Sequence, residues 1–440
     1  MLRTRDGRRD AWNGSLAMAS DVLLRTCEVL EALKLPPDLG EGAPTGRHAL
    51  RPTGLMPGWQ IWPGFWAGAG YPALVRALRG CLPHPDKQLV IHPYDWRLSN
   101  RWNAQVLLDR LEPRLAEWRR DGGGPGARLQ LVCHSMGGLI GRYFLHALGG
   151  KELTRRAYTV GTPYSGSMRA LRVLTGCLVP SAFGRFNERL REVAQTFPSI
   201  AELLPAYACV TGTDDSGHTD AGRLLDHVVP GLDQQAVQRS ADFHAELAAQ
   251  EESAPHGLLH VFGGDQQPTE QGVVIAPPEI RFVRRQRGED FGGDGTVPRF
   301  SCFPPHWEDD SAATFYPASH IGLTRHEDLL RNLVNKINAV RPGRALSPPR
   351  PLSLLLPPVA PAGRKVPIHV RADDAELVLD ARLRRADGTP YGHPVALLPD
   401  GAGNYTADLA PPPGVWHVTV ETSTEDPSGR VDDLLVVAQP

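Results

Sequence analysis

The chain has 440 residues, more than one domain commonly holds, and its 41% hydrophobic and 22% charged content is that of a globular protein with a sizeable core. A net charge of −2 makes no electrostatic case for nucleic acid or for a strongly charged partner. The six cysteines (Cys27, Cys81, Cys133, Cys177, Cys209 and Cys302) form no C-x-x-C pair, so neither a metal site nor a disulfide framework is implied. No window reaches the ~18 uninterrupted apolar residues of a membrane span. The opening, MLRTRDGRRDAWNGS, carries charge but no apolar signal-peptide stretch, so a cytoplasmic location is expected.

In chain order, residues 1–57 read as irregular, with one helix near Asp21–Leu33. Residues 58–66, GWQIWPGFW, gather Trp59, Trp62, Phe65 and Trp66, which fits a lid meeting a lipid surface or, alternatively, core between lid and body. A short helix is predicted at Tyr71–Arg79, a strand at Gln88–Pro93, and an amphipathic helix at Asn100–Arg120 interrupted by Pro113. The Gly122–Gly126 run lacks the Lys-Ser/Thr of a phosphate loop. Leu129–Cys133 is short, apolar and branched, a buried strand. From Leu139 onward Leu139, Ile140, Tyr143, Phe144 and Leu148 keep helical spacing up to Gly149-Gly150. Further strands are predicted at Arg156–Val160, Leu258–Phe262, Ile280–Arg284 and Thr314–Pro317, before a closing helix at Thr324–Val340. Strands alternating with helices predict an α/β fold with a doubly wound, mostly parallel sheet. Residues 165–255 are too long for a crossover and read as a helical cap.

Residues 341–364, RPGRALSPPRPLSLLLPPVAPAGR, are proline-dense and read as a stiff linker. Beyond it, strands are predicted at Val366–Arg371, Ala375–Arg385, Tyr405–Leu409, Gly414–Thr422 and Asp433–Val437, with turns at Asp387-Gly388 and Gly403-Asn404. The expected plan is a body over 1–340, a linker over 341–364 and an antiparallel, immunoglobulin-like β-sandwich over 365–440.

The chemistry is read from His134-Ser135-Met136-Gly137-Gly138. A serine on a sharp strand-to-helix turn is a nucleophile elbow, in which small neighbours let the strand and helix backbones nearly touch. The Met136 N–H then points at an oxyanion forming on an attacked carbonyl. Cys133 stands where the usual G-x-S-x-G has its first glycine, and a bare S-x-G also fits an ordinary strand–turn–helix. A serine hydroxyl needs a base, and the base a carboxylate, in the order Ser, acid, His on loops after later strands. Asp294, framed by glycines in Phe291–Pro298, is the expected acid, with Asp290 the competitor. His320, after the last strand, is the expected base, with His326 the rival; His134 reads as support for the elbow.

These pieces resemble the lecithin:cholesterol acyltransferase family of α/β-hydrolases, in its bacterial lipase/acyltransferase branch. They are Pro93-Tyr94-Asp95-Trp96-Arg97, the elbow, Gly161-Thr162-Pro163-Tyr164-Ser165-Gly166-Ser167, Gly293-Asp294-Gly295-Thr296-Val297-Pro298, and His320. The resemblance covers about residues 1–340. It implies Ser135 as nucleophile, Asp294 as orienting acid, His320 as general base and acid, and lipid esters as substrates. The acyl group would pass to water or an alcohol, with no metal or organic cofactor. Asp95, Trp96 and Arg97 follow a strand and are expected to reach the substrate, unless they form a structural ion pair with Trp96 in the core. Tyr164 stands where many such lipases carry His and is expected in the pocket wall. The family's opening strand and P-G-x-x-G-S loop, source of the second oxyanion donor, are not in the sequence; MLRTRDGRRDAW resembles the stretch just downstream of that loop. Losing one such donor costs about 3–4 kcal/mol, roughly a hundred- to thousandfold in rate. A misassigned start site just downstream of the loop is the expected reason for its absence, and two readings are open: a serine esterase acting on lipids, with transient membrane-surface contact, or a catalytically impaired lipid- or partner-binding protein.

Overall fold

The computed structural model describes residues 1–4, 10–12, 30–36, 39, 42–55, 60–62, 65–67, 71–178, 184–211, 221–251, 258–276, 279–338, 352–385, 387–422 and 429–438. The helix expected over 21–33 lies outside these residues except at its end, and so do the side chains of the Trp59–Trp66 cluster. Of that cluster, the backbone of Gln60–Trp62 pairs antiparallel with Phe65–Ala67.

The main body comprises α1 (Tyr71–Gly80), α2 (Asn100–Trp118), β1 (Leu129–His134), α3 (Met136–His146), β2 (Thr154–Val160) and α4 (Met168–Leu174). It continues with α5 (Gly184–Ala194), α6 (Gln234–Gln250), β3 (Leu259–Gly264), β4 (Ala313–Tyr316) and α7 (Glu327–Ile337). The four strands form one all-parallel sheet in the order β4-β3-β2-β1. Both faces of the sheet are covered. On one face Tyr158, Val160 and Phe262 pack with Leu74 and Leu78 of α1 and Leu329 and Leu333 of α7. On the other, Leu131 and Ala157 pack with Leu107 and Leu111 of α2 and Ile140 and Phe144 of α3.

Three expectations are corrected here. Gln88 ends a short helix, Pro85–Gln88, and residues 89–93 join no ladder among the described residues. Leu89 and Val90 still divide between the two face clusters, so this stretch has a strand's alternation without its pairing. Helix α2 runs unbroken through Pro113, which is exposed, so the carbonyl it leaves without a partner can turn to water. The strand expected at Ile280–Arg284 is Glu279–Val283, and it pairs with Gly272–Ala276 in a separate sheet that also takes Val210–Thr211 and Ala221–Gly222. Helices α4, α5 and α6 stand between β2 and β3 in the chain, and Leu171, Leu174, Leu190, Val193, Phe243 and Leu247 join the largest core cluster among the described residues.

The expected linker is corrected too. Its second half forms β5 (Leu352–Leu355) and β6 (Val359–Pro361), with the prolines 357 and 358 in the turn between them, where no ladder N–H is needed. Then come β7 (Val366–Ala372), β8 (Leu379–Arg385), β9 (Pro390–Ala396), β10 (Asn404–Leu409), β11 (Gly414–Thr422) and β12 (Arg430–Ala438). One sheet orders β5-β7-β10 with the two-residue strand Leu398–Pro399 at its edge, and the other β6-β12-β11-β8-β9. Along β12 the side chains take turns: Leu435 and Val437 enter the sandwich core, whereas Leu434, Val436 and Ala438 enter the core of the main body. Val359 and Val415 join the latter as well. The sandwich therefore packs directly on the α/β body.

Candidate active site

Ser135 comes directly after β1 with φ 54° and ψ −131°, a conformation that costs a non-glycine residue about 1–3 kcal/mol. The surroundings over-determine it. The Ser135 N–H donates to Val160 O at 2.9 Å, and its carbonyl accepts from Gly138 N at 2.8 Å. Gly141, one turn into α3, makes room for Cys133: a Cβ there would stand 2.9 Å from the Cys133 sulfur. The missing first glycine of the elbow is thus matched by a glycine across the interface. Burial pushes the Cys133 thiol up to about 12, so it offers no thiolate beside the serine. The Met136 N–H heads α3, where no intrahelical carbonyl is available to it.

Asp294 lies far along the chain from β3 but returns to its end. Gln267 N bonds Gly293 O at 2.9 Å, and Gln267 bridges Asp294. Gly264, the last residue of β3, permits the approach: a Cβ there would meet Asp294 Cβ at 2.5 Å and Ala318 O at 2.6 Å. One Asp294 oxygen accepts from the N–H groups of Thr296 and Val297 at 2.9 and 2.7 Å. The other lies 2.7 Å from His320 Nδ1. His320 Nε2 is 2.8 Å from Ser135 Oγ. Since a carboxylate can only accept, Nδ1 carries the proton and Nε2 receives the serine hydroxyl. The His320 N–H also donates to Asp294 O at 2.8 Å, tying the two loops by main chain.

The rivals are occupied elsewhere. Asp290 accepts from Gln271 and Gly292, and His326 caps α7 through Leu329 N. His134 supports the site from behind. Its Nε2 donates to the carbonyl of His320 at 3.1 Å, which leaves Nδ1 to accept from Tyr71 OH at 2.9 Å. Burial, then the nearby His320, holds the His134 imidazole down at about 3, so it stays neutral. Tyr71 carries no local sequence signal for this role, since it stands 63 residues from its partner.

The substrate contacts expected of Asp95, Trp96, Arg97 and Tyr164 are corrected. Arg97 is fully buried and grips Asp95 at 2.6 and 2.9 Å while donating to the carbonyls of Leu33 and His48. Trp96 packs edge-on against Phe197. Tyr164 is fully buried, its hydroxyl 3.0 Å from Thr159 Oγ1 and its ring under the Arg142 guanidinium. These groups spend their contacts on one another and on the core.

A serine on an elbow after a parallel strand, with acid and histidine on loops at later strands of that sheet, defines an α/β-hydrolase. Residues 71–229 match the family model described as Lecithin:cholesterol acyltransferase. The match includes the elbow; Asp294 and His320 lie beyond it. Among solved structures, the chain is similar to one in the Tle4–Tli4 complex, with 16% identity over 77% of this chain and 94% of that one and a TM-score of 0.45. It is similar to phospholipase PlaB from Legionella pneumophila, with 13% identity over 87% and 92% and a TM-score of 0.34. It is also similar to mature lipase BlEst2 from Bacillus licheniformis, with 13% identity over 56% and 77% and a TM-score of 0.30. No curated protein matches the chain.

Proposed function

We propose that the chain is a serine esterase that cleaves acyl esters of lipids and passes the acyl group to water or to an alcohol. The observation that carries this is the unbroken hydrogen-bonded line from Asp294 through His320 to Ser135. Ser135 Oγ attacks the ester carbonyl while His320 Nε2 takes its proton, and Asp294 steadies the imidazolium. The Met136 N–H receives the oxyanion. Collapse of the tetrahedral adduct releases the alcohol, which takes the proton from His320. An incoming water or alcohol, deprotonated by His320, then frees the acyl group and restores Ser135.

The test is fluorophosphonate labelling and p-nitrophenyl ester hydrolysis by the wild-type chain and by Ser135→Ala. Both activities should vanish in the variant, and labelling that persists there removes Ser135 as nucleophile. A wild-type chain that binds lipid vesicles yet neither labels nor hydrolyses would instead be the impaired binding protein. Incubation with mixed phospholipids, read by mass spectrometry, identifies the acyl donor.

A further inference from the structure

A cavity of about 570 Å³ opens where α4, the two site loops and the sandwich meet. On one side lie Asp294, Thr296 and His320, the same imidazole that touches Ser135. On another lies the apolar run Leu354-Leu355-Leu356-Pro357-Pro358-Val359 from the start of the sandwich. The seam is held firmly. Gln267, beside Asp294, bonds Leu352 O and Leu354 N, both at 3.3 Å; Ser319, beside His320, donates to Asp432 O at 3.2 Å.

The three cations that line the cavity (Arg169, Arg172 and Arg284) balance its three carboxylates (Glu270, Asp294 and Asp433) in number, but not in pairs. Arg172 grips Glu270 with two nitrogens, so that pair is neutral overall. Asp294 is held by His320. Arg284 is exposed at the cavity's border. Asp433 accepts from the N–H of its neighbour Leu434; burial pushes its carboxyl up against the pull of Arg169 and Arg325, and it forms no ion pair with Arg169. Arg169 is left. It lines the cavity, its Nε is buried without a hydrogen-bond partner, and no carboxylate among the described residues lies within ion-pair distance of it. A sheltered guanidinium without its own anion is expensive, because desolvation is not offset by a paired charge.

We propose that this seam cavity binds an anionic amphiphile, with its acidic group on Arg169 and its hydrocarbon along Leu354–Val359. The acidic group is the carboxylate of a fatty acid or the phosphate of a lipid headgroup. Its link to the reaction, as product or substrate beside His320, rests on the proposed esterase function; the binding itself does not. The sandwich is then one wall of a lipid site rather than an appended module.

Calorimetric titration of the full-length Ser135→Ala chain with laurate, dodecyl phosphate, dodecyltrimethylammonium and inorganic phosphate tests this. The two anionic amphiphiles should bind, with the cationic one and inorganic phosphate far weaker. Tighter laurate assigns the carboxylate, and tighter dodecyl phosphate the headgroup phosphate. Arg169→Met should weaken both roughly 10- to 100-fold, the range of one charge-assisted hydrogen bond. Asp433→Asn should tighten them. Leu355→Asp, at a half-buried wall position, should weaken them in a chain whose melting profile is retained. Equal binding of the cationic amphiphile, or no effect of Arg169→Met and Leu355→Asp, overturns the proposal. Hydrolysis of p-nitrophenyl butyrate by the wild-type chain keeps the two readings apart. Hydrolysis without amphiphile binding sinks this inference alone, and binding without hydrolysis sinks the esterase reading alone.

Discussion

Arg97 and Asp95 stand two residues apart, and the Arg97 side chain spends its donors on Asp95 and on two carbonyls. Ser135 and His320 are 185 residues apart, and the line that joins them ends in a hydroxyl on a strained turn. Both constellations are largely buried, and both carry charge. The first is closed: each group is satisfied by protein, so it can only hold the chain together. The second is open at one end, and its last donor can be passed to a reacting atom. Burial and charge mark both alike; what separates a site from a brace is whether a bond is left to give.

Four substitutions or conditions break or sharpen this contrast, in falling order of effect. Asp294→Asn keeps the shape but removes the acceptor that fixes the His320 tautomer. It should cut kcat about 10⁴-fold with little change in melting temperature, read by ester hydrolysis and calorimetry. Arg97→Met does the opposite: it strands the Asp95 carboxylate and should cost about 3–5 kcal/mol of stability, measured by denaturant titration. The folded fraction should keep its rate per labelled serine. Gly264→Ala mixes the two classes, because its methyl strikes both Asp294 and the carbonyl of Ala318. A loss of about 1–3 kcal/mol together with a fall in kcat is expected.

The smallest effect per residue is that of pH. Burial holds His134 and His244 down at about 3 in the folded chain, below the ordinary 6.5. Unfolding lets both take up protons, so their contribution is complete above pH 6.5 and is lost as pH falls from there toward 3. Each is worth up to about 1.4 kcal/mol per pH unit in that window. Melting temperatures from about pH 7 to about pH 5 should fall, and His134→Gln should flatten part of the slope.

The convergence of Ser135, Asp294 and His320 was legible because this chemistry demands a fixed order and small residues around each group, and both demands leave marks in a linear sequence. Asp95-Trp96-Arg97 was open to misreading because an ion pair closing on itself looks, in one dimension, like charges waiting for a ligand. Val359 and its neighbours looked like a linker because proline density hides short strands that need few ladder donors. The supporting contacts of Tyr71 and Gln267 were invisible: each touches residues brought near only by the folded sheet. The sequence marked strands at Gly414–Thr422 and Asp433–Val437, but not that β12 would be buried on both sides.

That last strand has a consequence for how the molecule comes into being. Leu434, Val436 and Ala438 fill the body that holds the serine, yet they are synthesised long after it. While the ribosome is still short of β12, the hydrophobic interior is missing a piece, and the loop bearing His320 lacks its Asp432 support. Translation therefore orders the assembly: the core of the α/β body is complete only once that strand has been made.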